Sequence, residues 1–336
     1  MSVKQTDREI WIDSVKLCAC VLVAVGHLLQ SMVSSELISS NPFLTWLETT
    51  IYTFHVPLFF LCSGYLHQKN SRVKEFSAWG RHILKKLVTL GIPYIVFSVI
   101  TWGMKVAFSD QVNFRAGSLS TALFASPMSP YWYLYVLFFV FLITPAFTKK
   151  WMAVVAMAMA VIMKGLSTLT DGFGVYALTK VMEYEVWFVL GMCFCRMNWP
   201  DIVQGSKIWP ALGAVLACVF ALLSVMDTFP GKALLMGLTA CTAIVIFAIC
   251  IHSAKKQSKF LAFMSRYTMP IFLMHTIFAA GFRIVLLQLG IRNGVIHIFV
   301  GLAVSFAGPI LASRIMEKVK WLDIFLHPGK YIKLSK

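Results

Sequence analysis

The chain's 336 residues are 59% hydrophobic and 13% charged, with a formal net charge of +16 at pH 7. One soluble core cannot hide that much apolar surface, so the composition excludes an ordinary soluble protein and points to a polytopic membrane protein. The basic residues sit in short clusters between apolar runs, not in a stripe interleaved with aromatics, which argues against nucleic acid as a partner.

Apolar stretches of about 17–25 residues, the length that crosses a bilayer, recur near 10–33, 43–66, 84–108, 131–148, 150–167, 175–195, 208–227, 231–251, 269–290 and 294–316. The reading is an all-α, multi-pass membrane protein with about ten transmembrane helices, organised as one integral-membrane domain over residues 1–336. Its connections are short and rich in turn formers, as in "SSNP" (39–42), "MDTFPG" (226–231) and "LGIRNG" (289–294). The opening "MSVKQTDREIWIDSVK" carries acids, and no small-residue cleavage site follows the first apolar run, so a cleaved signal peptide is not expected. The eight cysteines lie within or beside apolar runs, without a CxxC pair or a histidine at ligand spacing, and read as small core residues with no metal site.

Lys and Arg in short loops stay on the cytoplasmic side. With the N-terminus inside, that side collects Lys4 and Arg8, then Lys69, Arg72, Lys74, Arg81, Lys85 and Lys86, then Lys149 and Lys150. Further along it collects Arg196 and Lys207, then Lys255, Lys256, Lys259 and Arg266, and finally Arg314, Lys318, Lys320, Lys330, Lys333 and Lys336. Both termini are therefore expected in the cytoplasm.

In the first segment, Lys16 and His27 are separated by eleven residues, which on an ideal helix is about 16 Å of rise and a return to nearly the same face. Asp13 lies close to that face and can pair with Lys16 at i, i+3. Lys16 alone is equally a snorkelling anchor. A histidine as deep as His27 needs a partner or a watery cavity. The second segment, "FHVPLFFLCSGYLHQ", places His55 two residues before Pro57, where a proline frees a backbone carbonyl and bends a helix. The role of His55 is open between lining a cavity and packing.

The loop that follows is the densest basic cluster. Anionic lipid or topology accounts for most of it, but Arg81 and Lys85 share a face next to the apolar run and suit a polyanion such as a nucleotide phosphate. In the sixth segment Glu183 and Glu185 are among the few intramembrane acids. In the ninth, "SRYTMPIFLMHTIF", Thr268 is the expected N-cap, with Pro270 in the first turn and His275 about 9 Å further along. The aromatics Trp46, Tyr52, Tyr131, Trp132 and Tyr133 suit either a stacked sugar or an interfacial belt.

Three patterns resemble one family. "WIDSVKLCACVLVAVGH" is similar to the start of the acyltransferase-3 type integral-membrane acyltransferases of bacteria, which have ten core spans. "FHVPLFFLCSGYL", followed by the basic run and "GIPYIVF", is similar to their second-span signature, and "YTMPIFLMH" to a late one; "YWYLYVLFF" (131–139) adds to them. The resemblance implies transfer of an acyl group, usually acetyl, from a cytoplasmic acyl-CoA to a hydroxyl of an envelope carbohydrate or lipid-linked sugar, in the cytoplasmic (inner) membrane.

Matched by position, it implies that His27 is the catalytic histidine and Lys16 its paired cation, where the family most often has Arg. A lysine keeps the charge and loses the fork geometry. Whether His27 acts as a base or itself takes the acyl group is open, and His55 and His275 either hold it in one tautomer, bind the acceptor, or do neither. Lys16, Arg81 and Lys85 are placed at the cytoplasmic mouth for the CoA phosphates. An extracytoplasmic hydrolase-like domain of the kind fused to some members is not expected after the tenth segment. The Lys16–His27 spacing is also about the reach of an extended pantetheine arm, so this first helix would serve as a ruler. A transporter or flippase of an envelope precursor is the alternative. The two halves of the chain show no convincing self-similarity, in sequence or in the placement of Gly and Pro, which weighs mildly against a transporter built from repeats.

Overall fold

The computed structural model describes residues 9–70, 76–113, 116–169, 174–252 and 257–332. Lys4, Arg8, Arg72, Lys74, Lys255, Lys256, Lys333 and Lys336 of the basic clusters lie outside them. In chain order the helices are α1 (Ile10–Ser34), α2 (Pro42–Asn70), α3 (Phe76–Lys86), a π turn (Leu87–Gly91), α4 (Ile92–Ala107), α5 (Trp132–Ile143) and α6 (Lys150–Leu169). Then follow α7 (Tyr176–Arg196), α8 (Trp199–Gln204), α9 (Trp209–Val225), α10 (Lys232–His252), α11 (Lys259–Gln288), α12 (Gly294–Met316), α13 (Lys320–Leu326) and α14 (Pro328–Tyr331). There is no strand among the described residues. A lipid environment enforces this, because a helix satisfies its own backbone groups where no water is present.

Among the described residues, seven helices are long and apolar enough to cross a membrane: α1, the continuous stretch Trp79–Ala107, α6, α9, α10, α11 and α12. α2 and α7 have the length, 29 and 21 residues, but carry polar side chains along it. α5 is a shorter apolar helix.

Two segments depart from the sequence reading. The fourth, read as 131–148, ends at Ile143, because Thr144 precedes Pro145 and is held extended. The ninth begins at Lys259, ten residues early, and its cap is Ser258, whose side chain accepts from the Leu261 N–H at 3.1 Å. Thr268, the expected cap, instead donates to the Met264 carbonyl at 3.4 Å, and Pro270 is interior to the helix. His275 therefore lies roughly 24 Å along α11 by helical rise, not about 9 Å.

α1 is surrounded by α2, α10, α11 and α12, while α2 runs along α7, α6 along α7, α9 along α10, and α11 along α12. The α2–α7 seam is the tightest. A methyl group at Gly64 would overlap the Phe188 carbonyl, and one at Gly191 would overlap the Leu61 carbonyl, so the two backbones touch through small residues. Gly64→Ala and Gly191→Ala should each cost about 1–3 kcal/mol, the range for overpacking. In detergent both should unfold below the parent temperature, whereas Gly103→Ala, with nothing within 4 Å of its methyl, should not.

The end of the chain is tied by a buried acid. Asp323 accepts from His327 Nδ1 (2.7 Å), Lys330 Nζ (2.9 Å) and the Tyr331 hydroxyl (2.6 Å). Burial pushes its carboxyl up, but the hydrogen bonds from Tyr331, Lys330 and His327 outweigh that and bring it down to about 2, from an ordinary 3.8. A depressed carboxylate stabilises the fold above its unfolded pKa and loses that contribution as pH falls through the folded one. Cleavage after α12 by a soluble protease should therefore rise between about pH 4 and pH 2 in the parent. Asp323→Asn should raise it at neutral pH and flatten that dependence.

Candidate active site

α1 brings His27 into the bundle, where both ring nitrogens meet hydroxyls. Nδ1 lies 3.2 Å from the Tyr52 hydroxyl of α2, and Nε2 lies 3.3 Å from the Ser129 hydroxyl. Tyr52 donates to Gln30 Oε1 at 3.4 Å, which leaves its oxygen to accept from Nδ1–H and puts the imidazole lone pair on Nε2, toward Ser129.

The longer α11 carries His275 to the same depth. The rings of His27 and His275 are 5.4 Å apart, tilted by 30°. Nδ1–H of His275 is shared between the Ile271 (2.9 Å) and Phe272 (3.0 Å) carbonyls, so its lone pair also sits on Nε2, which is buried and has no partner. His55 is joined less directly. Its Nδ1–H donates to the Ile51 carbonyl at 2.7 Å, and its ring packs edge-on against Tyr52 at 4.7 Å. Tyr52 thus stands between His55 and His27.

A cavity of about 250 Å³ opens beside the two facing histidines, lined by His27 and Ser31 of α1, Thr101 and Lys105 of α4, Ser129, and His275, Thr276 and Arg283 of α11. His55 is not part of its lining. The α1 lining begins at Ala24, so Lys16 shares a helix with His27 but not this cavity. Lys16 is half-buried, and Cys62 and Lys86 both lie within its field. Asp13 accepts from Gln257 Nε2 at 3.0 Å.

Arg81 and Lys85, expected to point inward, are exposed. The inward face of α3 is one residue further round, about 100° on a helix. There Lys86 lies over the Phe141 ring at 3.9 Å, and the rings of His82 and His67 are 5.2 Å apart. His67 Nε2–H donates to the Thr144 carbonyl (3.1 Å), and the Thr144 hydroxyl to Glu185 Oε1 (3.0 Å). The i, i+4 spacing of His82 and Lys86 equals that of Arg81 and Lys85, so spacing could not choose between the two faces. Lys105 and Arg283 also line the cavity, and the signal for them is a cation inside an apolar run.

Glu183 is engaged elsewhere, by Lys180 at 2.7 Å and Lys164 at 3.8 Å. It lines a recess of about 410 Å³ with Glu48, Tyr52 and Lys164. This recess shares Thr49, Thr53, Lys164 and Ala233 with a vestibule of about 1050 Å³ that holds Trp46. Trp46 and Tyr52 can therefore meet a ligand. Tyr131 and Tyr133 cannot, because both are buried: the Tyr131 hydroxyl bonds Thr101 and the Leu273 carbonyl, and that of Tyr133 bonds Ser63. Trp132 packs on Tyr184 at 5.1 Å.

The sequence profile of the family described as "Acyltransferase domain" matches residues 9–314. Among curated proteins, the Nodulation protein NolL of Sinorhizobium fredii is 30% identical over 151 residues, 43% of this chain and 39% of that protein. The Nodulation protein NolL of Mesorhizobium japonicum is 24% identical over 211 residues, 60% of this chain and 51% of that protein. The chain thus spans about half or less of the length of these relatives. No solved structure matches it.

Proposed function

The chain belongs to the acyltransferase-3 family, whose domain it matches over residues 9–314, and from this premise we propose that it is a membrane-bound O-acyltransferase. It takes an acetyl group from cytoplasmic acetyl-CoA and delivers it to a hydroxyl of an envelope polysaccharide or lipid-linked sugar. α2, α5 and α7 join the seven long apolar helices to make ten spans in one domain, with both termini in the cytoplasm, where the basic clusters hold them. The membrane is the cytoplasmic one.

The observation that carries this reading is the pair of facing histidines, each with its Nδ1 hydrogen-bonded and its Nε2 lone pair available, at the edge of a cavity. Ser129 stands where an acceptor hydroxyl would stand, 3.3 Å from His27 Nε2. A hydroxyl becomes a competent nucleophile when a base takes its proton as it attacks. His27 Nε2 accepts that proton, the oxygen forms the new ester bond to the thioester carbonyl carbon, and the C–S bond breaks. The CoA sulfur leaves as thiolate and is reprotonated from the imidazolium.

His275 Nε2 lies on the same cavity, positioned to bind the acceptor or share the proton, and His55 supports the Tyr52 ring that holds His27. At the basic end, Lys16 and Lys86 face inward and Arg81 and Lys85 stand at the aqueous rim. Together they form a graded cationic entry for the donor's phosphates.

Radiolabelled acetyl-CoA supplied to inverted membrane vesicles tests the reading. Acetyl should move to the envelope fraction in membranes with the protein and not in those without it. A transporter would leave the label on CoA. Mass spectrometry of envelope glycans, with and without the protein, should show the acetyl increment on the acceptor.

A further inference from the structure

The cavity beside His27 has a second chemical character at its far end. Arg283 is 4% exposed, with Nη1 on the Ser31 hydroxyl (2.6 Å) and carbonyl (3.4 Å) and Nη2 on the Gln111 carbonyl (3.5 Å); its Nε is buried without a partner. Lys105 lines the same cavity, half-buried, and makes no hydrogen bond or ion pair among the described residues. No Asp or Glu lines the cavity, and no carboxylate pairs with Arg283 among the described residues. Asp110 is exposed and lines a neighbouring groove with Gln288. A guanidinium stays charged when buried, and a buried charge without a counter-ion is costly. Two such cations on one cavity make a site that is incomplete until an anion enters.

Resting on the acyltransferase reading above, we propose that Arg283 and Lys105 bind an acid group of the acceptor, a carboxylate or phosphodiester oxyanion, and thereby hold the acceptor's hydroxyl at His27. The acceptor class is then an acidic glycan. Ser31 is one turn beyond His27 on α1, about 6 Å, and Arg283 is eight residues beyond His275 on α11, about 12 Å. An acid group at Arg283 leaves a hydroxyl of the same or the next sugar over the two histidines. The site lies toward the end of α1 opposite Lys16, so the two anionic substrates are kept apart: CoA phosphates at the basic end, the acceptor's acid group at the other.

The full chain in detergent, titrated with glucuronate, glycerol phosphate, glucose or glycerol while thermal unfolding is followed, tests the site without requiring turnover. The unfolding temperature should rise saturably with glucuronate, with glycerol phosphate, or with both, and not with the neutral pair. The acid that works separates a uronic from a phosphate-bearing acceptor. Arg283→Gln and Lys105→Gln should each raise the half-saturating concentration tenfold or more. Lys105, which has no hydrogen bond or ion pair to lose among the described residues, carries the test if Arg283→Gln does not fold. A lack of shift with either acid, an equal shift with the neutral pair, or unchanged titrations in the variants would overturn the proposal. So would a rise in the KM for acetyl-CoA in Lys105→Gln, since that would assign the cations to the donor. If the acids bind and vesicles transfer no acetyl, the site stands and the acyltransferase reading falls; the reverse result removes the site alone.

Discussion

His27→Ala is expected to lower the rate of acetyl transfer in vesicles by about 10²–10⁴-fold, the usual worth of a general base. The KM for acetyl-CoA should stay where it is. The loss falls on kcat because the imidazole acts only as the hydroxyl's proton leaves and contributes little to holding the donor. Wild-type rates in His27→Ala membranes would remove His27 from the mechanism. Tyr52→Phe makes the prediction specific to this arrangement. It deletes the hydroxyl 3.2 Å from Nδ1, the contact that keeps the lone pair on Nε2, and leaves the ring that packs on His55. One neutral hydrogen bond is worth about 0.5–1.5 kcal/mol, so the effect should be a loss of up to ~10-fold in kcat. Equal losses in Tyr52→Phe and His27→Ala would mean that Tyr52 does more than orient the ring.

Local pattern carried the sequence reading furthest where one helix holds the whole signal. α12 spans Gly294–Met316, the expected 294–316, because Asn293 caps it by accepting from the Val295 and Ile296 N–H groups. His27 was found because a deep histidine on an apolar helix stands out within one turn-by-turn reading. The meeting of His27 with His275 depends on α1 lying against α11, some 250 residues away in sequence, and no spacing encodes that. The start of α11 is misplaced by the sequence because a threonine two residues before a proline reads as a helix start. In a bundle, tertiary packing lets the helix run through Pro270. Facing was the weakest inference for α3, where rotation by a single residue exchanges Arg81 and Lys85 for His82 and Lys86. Such a choice is made by what α3 packs against, here Phe141 and His67.

Lys16→Ala should raise the KM for acetyl-CoA by about 10–100-fold, the 1.5–3 kcal/mol of a charge-assisted contact, and leave the acceptor's KM unchanged. Lys16 is half-buried at the basic end, with Lys86 inside its field. Two lysines within each other's range repel, so this pair is better suited to an incoming polyanion than to an empty interior. The family's usual arginine would grip a phosphate with a planar fork, whereas lysine offers a point charge at the end of a flexible stem. Lys16→Arg should therefore keep the charge-dependent part of binding and lower the KM only if the fork fits beside Lys86. Lys86→Ala provides the companion measurement. If both lysines hold the same phosphate, the double variant will lose less than the product of the single losses, because each single change already weakens the shared contact. The α1 lining of the His27 cavity begins at Ala24, so on the proposed reading the donor's arm would need a path outside that cavity to pass from Lys16 to the imidazole. Lys16→Ala should then weaken acetyl-CoA and desulfo-CoA alike, since both carry the same phosphates, while His27→Ala should weaken neither.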